Sequence, residues 1–524
     1  MVPATADSAS PIAFALGLLS TVALAVIAAA LFLPHQSLWI DETTQMDGLT
    51  LSPIELVRWL ADGHRHDFGV PGDRMPPLSY WLGWAWAQLF GLTETSMRWF
   101  GTVCTGLAVA FLFRAAHRLF GLRAAILAGA FMALSPNVCA TAVEIRAYPL
   151  FLLTTAGAID ALSILVVEPG AAARAAAWIG LGLWLVAGIY THFFGLILAG
   201  GILTGLAIFL GRSSLKRLAA LAAVVAVAAL GLRPFVRASI AVSTGATETH
   251  RLHEVAQLFF RLVAHPTMNA VPLAMAGALL AAIALAAYAA RLVAMKQRAL
   301  GLLIVVLVTG LAVTVAGAFV ARGFSAAKTS YATWALPLVS LILAAPAALR
   351  SPRGGILPVA FAAIFLAAQA LGTLQLWRHG EYFAHGPADR IARIVDEVGP
   401  RDTAVIHIAS PANAFVYFPL RYVYGPDFPQ FVVGPEPSVG QPLEISSSSW
   451  RDRLSPFRHL LVVRAKLQSG AEIGDQIRHG DQAFAADANA NVVSSMPLWR
   501  VRAHQEMIAF VAADVTVLER SSVP

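Results

Sequence analysis

Long apolar stretches separated by short loops recur along most of this 524-residue chain, and they limit the folds that it can adopt. Hydrophobic residues make up 58% of the sequence and charged residues 13%. Soluble domains contain about 25% charged residues, so this composition is typical of a protein that lies mostly in lipid. Because roughly 20 consecutive apolar residues can cross a bilayer as a helix, the sequence predicts a polytopic α-helical membrane protein.

Eleven of these stretches are predicted to span the membrane. The first begins at Pro11 with no basic residue before it, so we interpret it as an uncleaved helix. The tryptophan-containing stretch 76–91 is apolar but short, and we expect it to lie flat at the membrane surface. The predicted spans are 11–33, 96–117, 122–142, 148–167, 175–192, 194–211, 218–235, 268–290, 299–321, 331–349 and 354–376.

The basic residues between these spans predict the orientation of the helices. With 76–91 lying flat, they collect on one side, which the positive-inside rule assigns to the cytoplasm. The N-terminus then lies inside and the C-terminus outside. Much of the net charge of +7 lies in such loops, so we do not interpret it as a sign of nucleic-acid binding. The residues are Arg114, Arg118, Arg123, Arg174, Arg212, Lys216, Arg217, Arg291, Lys296, Arg298, Arg350 and Arg353.

The composition changes near Arg378, and no further span is predicted beyond it. IARIVDEV has helical spacing, whereas AVIHIAS, HLLVVRA and MIAFVAADVTVLE (507–519) are typical of strands. We therefore predict a transmembrane domain at 1–377, with juxtamembrane helices in a first outer loop at 34–95. A small outward-facing α/β domain would follow at 378–524. It contains no Gly-rich phosphate loop, so nothing in it suggests nucleotide binding.

The loop after the first span contains an acidic pair, Asp41-Glu42, in the sequence SLWIDETTQM. Carboxylates at membrane depth are costly to desolvate and are usually functional. The alternative is a solvated loop end with Trp39 as an interfacial anchor. Three other polar clusters share the predicted outer side with the pair, which favours a site there. They comprise Glu144, Arg146 and Tyr148 of VEIRAYP, Tyr190 and His192 of IYTHFFG, and Arg322, Lys328 and Tyr331 of RGFSAAKTSYA.

These stretches, in this order, resemble the bacterial branch of the GT-C glycosyltransferases. That family of membrane enzymes includes aminoarabinose transferases of lipid A, rhizobial galacturonosyltransferases and protein O-mannosyltransferases. The likeness covers approximately residues 1–210. Many relatives have His or Lys before the Pro-Pro, where this chain has Arg74-Met75. The matching stretches are WIDE (39–42), MPPLSYW (75–81), FGLTETSMRWF (90–100), EIRAYPLFLL (144–153), YTHFFG (190–195) and, more weakly, KTSYATWALPL (328–338).

The resemblance implies a polyprenyl monophosphate sugar as the donor. Asp41 matches the catalytic aspartate of the family and would take the proton from an acceptor hydroxyl. Glu42 would position Asp41, the acceptor or a metal. Cations would stabilise the charge on the departing phosphate. The candidate substrate-binding residues are Arg74, Glu144, Arg146, Tyr148, His192, Lys328 and Tyr331, of which Lys328 and Arg146, followed by Arg74, are the candidate phosphate-binding cations.

Several of these residues have a structural alternative. Arg146 could pair with Glu144, but positions i and i+2 do not share a helix face, so this requires a bend before Pro149. Lys328 could be an ordinary loop lysine, and His192 could be hydrogen-bonded to a neighbouring helix.

No metal requirement follows from the sequence, although a divalent metal remains open. One outer loop contains four potential ligands, but such loops are usually just solvated. These are His250, His253, Glu254 and His265.

We expect an inverting glycosyltransferase in the bacterial inner membrane, with its site and its C-terminal domain in the periplasm. It would transfer a sugar to a hydroxyl of a glycolipid or an envelope polysaccharide. One alternative is a protein O-glycosyltransferase, and another is a transporter or flippase of lipid-linked glycans. A transporter should have inverted repeats and ionisable residues near the membrane midplane. Here the polar residues lie at the predicted outer ends of the spans.

Overall fold

Apolar helices account for most of the first two thirds of the chain. The computed structural model describes residues 10–62, 73–167, 170–243, 260–320, 332–348, 356–434, 441–443, 449–480, 482–484 and 489–521. The helices of this part are α1 (Pro11–Phe32), α2 (Ile40–Gly48), α3 (Pro53–Ala61), α4 (Leu78–Phe90), α5 (Glu94–Phe120), α6 (Leu122–Ala133), α7 (Pro136–Ala142), α8 (Tyr148–Val167), α9 (Ala171–Thr191), α10 (Gly195–Phe209), α11 (Leu215–Gly231), α12 (Arg233–Ser243), α13 (Pro272–Ala294), α14 (Arg298–Val320), α15 (Ala335–Ala348) and α16 (Leu357–Arg378).

These helices agree with the predicted apolar stretches. Within the described residues, seven are long and apolar enough to cross a membrane, and two bent pairs would raise the number to nine. Two shorter apolar helices, α10 and α15, complete the same eleven stretches. The chain is therefore a multi-pass membrane protein, while the number of crossings stays a prediction. Stretch 76–91 contains α4, which has 13 residues and is not among the candidate spans.

Two of the predicted spans are bent. Helices α6 and α7 meet at 62°, and Pro136 is the first residue of α7. Helices α11 and α12 meet at 46°, with Pro234 as the second residue of α12. Proline lacks a backbone N–H and clashes with the preceding turn, which explains both breaks. The span predicted for 122–142 is therefore present as a bent pair of helices.

Close packing of α5 against the turn before α8 depends on Gly101. A Cβ atom at this position would lie 2.5 Å from the carbonyl oxygen of Ala142 and 3.0 Å from Cγ of Pro149. Both distances leave no room for a side chain, so glycine allows the backbones to approach. This contact places the start of α5 beside the turn that contains the EIRAYP sequence.

The C-terminal part forms a six-stranded mixed sheet in the order β3-β2-β1-β4-β6-β5. Strands β1, β2, β3 and β4 pair in parallel, whereas β6 is antiparallel to both β4 and β5. The strands are β1 (Thr403–Ile408), β2 (Gln430–Val433), β3 (Gln441–Pro442), β4 (His459–Leu467), β5 (Trp499–Met507) and β6 (Val511–Arg520). The helices are α17 (Gly380–Phe383), α18 (Ala388–Val398), α19 (Ala414–Tyr424), α20 (Ser449–Leu454), α21 (Gly470–His479) and α22 (Ala490–Ser494).

Two hydrophobic cores cover the two faces of this sheet. Val405 and Leu461 belong to one core and Ile406 and Val462 to the other, as expected when successive side chains of a strand point to opposite faces. The predicted helix IARIVDEV and the strands AVIHIAS and HLLVVRA are all present. The single strand predicted for 507–519 is wrong, because β5 ends at Met507 and β6 begins at Val511.

The chain divides into two compact units, and the division is not a simple cut near Arg378. One unit comprises Met1–Leu33 and Gly48–Leu374, and the other comprises Pro34–Asp47 and Gln375–Pro524. The segment that contains the acidic pair therefore belongs to the same unit as the C-terminal sheet.

Candidate active site

The acidic pair lies in the first turn of α2. Glu42 is fully buried, whereas Asp41 is partly exposed. A helix N-terminus carries a partial positive charge that favours carboxylates. Consecutive residues on a helix do not face each other, so the two carboxylates point in different directions. Of the two residues, Asp41 is therefore the one that is partly exposed at the start of α2.

The EIRAYP sequence contains a bend before Pro149. Pairing of Arg146 with Glu144, the structural alternative considered above, requires such a bend. Helix α7 ends at Ala142, α8 begins at Tyr148, and the residues between them are not helical. Glu144 and Arg146 are both buried in this turn. Pro149 is the second residue of α8, where a missing N–H is tolerated.

Arg146 forms a buried bidentate ion pair with Asp73. Its Nη1 lies 2.9 Å from Oδ2 and its Nη2 lies 3.1 Å from Oδ1 of Asp73. Tyr80 donates its hydroxyl to Oδ2 at 2.5 Å, and the Arg74 amide donates to Oδ1 at 2.7 Å. Burial raises the pKa of Asp73, but the Arg146 guanidinium and the surrounding hydrogen bonds outweigh it and leave the pKa below its ordinary value. The loop that contains Asp73 is thus held against the turn before α8.

His192 lies beside this ion pair, at the end of α9. It is buried, and its Nδ1 accepts a hydrogen bond from the Phe194 amide at 3.2 Å. Its ring stacks on Phe151 with centroids 5.2 Å apart, and Tyr148 is 5.7 Å away by the same measure. Both Asp73 and Arg146 are within electrostatic range of the imidazole. The structure therefore brings the candidate residues Arg146, Tyr148 and His192 together.

Arg98 is a part of this region to which the sequence analysis gave no role. Its guanidinium is buried, donates to the Val143 carbonyl at 2.6 Å, and pairs with Glu94 at 2.7 Å. It thereby holds the turn that contains Arg146. A charged residue inside a predicted span was the signal available in the sequence.

A buried carboxylate, Asp160, is paired with two arginines towards the other end of α5 and α8. Asp160 is paired with Arg118 at 3.0 Å and with Arg114 at 3.3 Å. Arg98 and Arg118 are 20 positions apart on α5, which is about 30 Å along a helix. That length matches the hydrocarbon core of a bilayer, so the two arginines lie near opposite ends of a membrane-length helix. Asp160 was not identified as a candidate from the sequence.

The remaining candidates are distributed as follows. Arg74 is exposed. Lys328 and Tyr331 lie outside the described residues, as do three of the four potential ligands in the outer loop. The fourth, His265, is buried and accepts a hydrogen bond from the Thr267 amide at 3.2 Å, so it caps a short 3-10 helix. Over the described parts of the chain, no group of three or more His, Cys, Asp or Glu could hold a metal ion.

Comparison with known proteins gives a family match and a set of similar folds. Residues 74–236 match the family model described as dolichyl-phosphate-mannose-protein mannosyltransferase. No curated protein sequence matches the chain. The crystal structure of ArnT from Cupriavidus metallidurans bound to undecaprenyl phosphate has a TM-score of 0.56 at 15% identity, covering 96% of this chain and 98% of that one. Its apo state has a TM-score of 0.55 at 14% identity, covering 95% and 97%.

A third similar structure is archaeal. The oligosaccharyltransferase AglB from Archaeoglobus fulgidus, in complex with an inhibitory peptide and a dolichol-phosphate, has a TM-score of 0.45 at 12% identity. The likeness covers 85% of this chain and 69% of that one.

The family match and the fold agree with the residues that the sequence singled out. The matched stretch, 74–236, contains Arg74, Arg146 and His192. The likeness to ArnT extends over nearly the whole of both chains and shows the fold. Residues 74–236 are thus similar to that mannosyltransferase family, and the whole chain has a fold similar to that of ArnT.

Proposed function

We propose that the chain is an inverting glycosyltransferase that takes its sugar from a polyprenyl-phosphate donor. The observation that carries this proposal is the partly exposed Asp41 beside the buried Glu42 at the start of α2. A partly exposed residue beside a fully buried one agrees with a base and its supporting residue. The similar structure of ArnT contains undecaprenyl phosphate, which supports a donor of this chemical class.

The reaction follows from these groups. Asp41 accepts the proton of an acceptor hydroxyl, and the oxygen attacks the anomeric carbon of the sugar. The bond from this carbon to the phosphate oxygen breaks, and polyprenyl phosphate leaves. Because the phosphate leaves without needing a proton, one displacement is enough, and the configuration at the anomeric carbon inverts. Arg146 is the candidate cation that stabilises the charge on the departing phosphate.

The sidedness of the charges supports a periplasmic site. Arg146 precedes α8 and His192 follows α9, so both lie at the same end of these helices. Arg174 and Arg217, at the starts of α9 and α11, lie at the other end with Arg118. By the positive-inside rule, the basic end faces the cytoplasm and Arg146 faces outward. Nucleotide sugars are not available there, which favours a lipid-linked donor in the inner membrane.

The acceptor is a hydroxyl of a glycolipid or of an envelope polysaccharide in this proposal. The name of the matched family favours a second candidate, a hydroxyl of a protein. The C-terminal sheet is then the second domain of a transferase, at residues 378–524, with the transmembrane domain at 1–377.

The test is sugar transfer in membranes that lack the native enzyme. These would receive the wild type, Asp41→Asn or Asp62→Asn, a matched removal of an exposed carboxylate from the same outer loop. Mass spectrometry would then compare envelope lipids, polysaccharides and proteins. We expect a sugar-sized mass on a lipid or polysaccharide with the wild type and Asp62→Asn only. Transfer to protein would replace the acceptor assignment, and transfer by folded Asp41→Asn would disprove its role as the base.

The stereochemistry has its own measurement. An NMR analysis of donor and product should show opposite anomeric configurations. Retention would imply a covalent intermediate or a second displacement and would refute the single step.

A further inference from the structure

Trp39, two residues before Asp41, is enclosed by aromatic rings of the C-terminal part of the chain. Its indole stacks on His385 with centroids 4.4 Å apart and planes inclined by 20°. The indole also stacks on Phe415, with ring centroids 6.1 Å apart and planes inclined by 7°. Parallel rings at these distances restrict both the position and the tilt of the indole. The backbone amide of Thr43 donates to the Trp39 carbonyl at 2.9 Å, so Trp39 is joined directly to the first turn of α2.

The two rings that enclose Trp39 are themselves fixed to the C-terminal sheet. The carbonyls of Ala384 and His385 accept hydrogen bonds from the amides of Phe510 and Val511, at 3.1 and 3.2 Å, where β6 begins. Phe415 is in α19 and packs on one of the two sheet cores. The position of Trp39 is therefore determined by the sheet.

Two more contacts join the residues before α2 to the C-terminal part. The backbone amide of Asp389, in the first turn of α18, donates to Oγ of Ser37 at 3.0 Å. Pro387, at the N-cap of α18, has no side-chain group that could accept this hydrogen bond. The acceptor is instead a serine that lies 352 positions before Asp389. His35 packs so closely on Gly380 that a Cβ atom there would lie 2.3 Å from its Cγ.

The far end of α2 carries a charge within electrostatic range of α19. Asp47, in the last turn of α2, interacts electrostatically with Arg421, six positions after Phe415 on α19. The contacts that hold the segment are therefore those before Asp41, at His35, Ser37 and Trp39.

We propose that the C-terminal unit positions the base for catalysis, and that His385 and Phe415 are positioning residues that act through Trp39 on Asp41. The inference rests on the proposed function, because it takes Asp41 to be the base. It also gives residues 378–524 a role in the transfer step itself, beyond any part in acceptor choice. A displacement of about 1 Å in a reacting group can cost about 100-fold in rate, so a loosened Trp39 should slow the chemical step.

The test compares single variants of the full-length protein in a transfer assay with a polyprenyl-phosphate sugar and the acceptor found for the wild type. His385→Leu fills the space without a flat ring, and His385→Phe restores a ring. Phe428→Ala is the control, because Phe428 packs on the same core and contacts Tyr424 of α19 with ring centroids 4.6 Å apart, without being part of the enclosure of Trp39. Melting temperatures confirm that each variant is folded.

We expect His385→Leu to lower kcat at least about tenfold while KM for the donor stays within about twofold. His385→Phe should return kcat to near the wild-type value, and Phe428→Ala should behave as the wild type. Unchanged kcat in folded His385→Leu would overturn the proposal. So would an equal loss in Phe428→Ala, which would show a general effect of domain stability. If His385→Leu does not fold, the same comparison with Phe415→Leu and Phe415→Tyr decides.

Wild type and Asp41→Asn are measured in the same assay, so the two proposals fail differently. Transfer by both would refute the proposed base. A wild type that transfers and an Asp41→Asn that does not, together with an active His385→Leu, would leave the function intact and refute only the positioning role.

Discussion

The ion pair between Asp73 and Arg146 offers the sharpest test of how this site is held together. Both side chains are almost fully buried, and two hydrogen bonds of 2.9 and 3.1 Å join them. Removing one partner of a buried pair leaves the other charge without compensation and costs about 3–5 kcal/mol. We therefore expect Asp73→Asn and Arg146→Met each to lower the free energy of unfolding by about this amount.

The double variant separates the pair from its surroundings. Asp73→Asn with Arg146→Met leaves no buried charge, so its loss should be smaller than the sum of the single losses by about 2–3 kcal/mol. Tyr80→Phe removes one hydrogen bond to Asp73 and leaves the pair intact, which should cost about 1 kcal/mol. Reversible unfolding in mixed micelles gives the four free energies of the cycle.

The pH dependence of these free energies checks that the charge of Asp73 is responsible for the loss of stability. Because the pKa of folded Asp73 is below its ordinary value, its contribution is present above the unfolded pKa of about 3.9 and is lost only as pH falls through the folded value. The difference between wild type and Asp73→Asn should then be constant from pH 8 to pH 5. Strictly additive single losses, or an Asp73→Asn loss below about 1 kcal/mol, would refute the reasoning.

Three further predictions concern stability. Burial raises the pKa of Asp47 to about 6, so its charge opposes folding above that pH. At pH 8, Asp47→Asn should therefore be about 1–2 kcal/mol more stable than the wild type. Melting measured as a function of pH should show this advantage vanishing near pH 4. Equal pH curves for the two proteins would contradict this. Asp160→Asn leaves the partly exposed Arg118 without its partner and should lower the free energy of unfolding by about 2 kcal/mol without changing kcat. A fall in kcat at full stability would mean that this pair takes part in catalysis. Gly101→Val should prevent folding, as judged by size-exclusion profiles. Gly180→Val is the control and should be tolerated, because the space around Gly180 is open. A well-folded Gly101→Val would contradict the close approach of α5 to the turn before α8.

The sequence predicts the features of this fold that depend on local pattern. Each of the eleven apolar stretches contains one or two of the apolar helices, and the bend before Pro149 is present. The bend at Pro136 and the end of β5 at Met507 were missed, because hydropathy gives no angle and a turn of three residues leaves an apolar run unbroken.

Pairings between distant residues could not be predicted in the same way. Arg146 and Asp73 are 73 positions apart, and no periodicity links them. The acidic pair was recognised from its position and from the resemblance, yet its membership of the C-terminal unit depends on Trp39 meeting rings more than 300 positions later. Such contacts follow from the folded topology, and a single sequence contains no signal for them.

The two candidate residues Asp41 and Arg146 belong to different compact units of the chain. Asp41 belongs to the unit of the C-terminal sheet, and Arg146 belongs to the unit of the apolar helices. If each unit supplies its part independently, Arg146→Lys should weaken donor binding, because lysine cannot reproduce the bidentate bond to Asp73. His385→Leu should instead slow turnover. The combined variant should then show both defects with their fold-changes multiplied. Equilibrium binding of a polyprenyl phosphate and single-turnover transfer measure the two separately. A loss of donor affinity in His385→Leu would contradict the independence of the two effects.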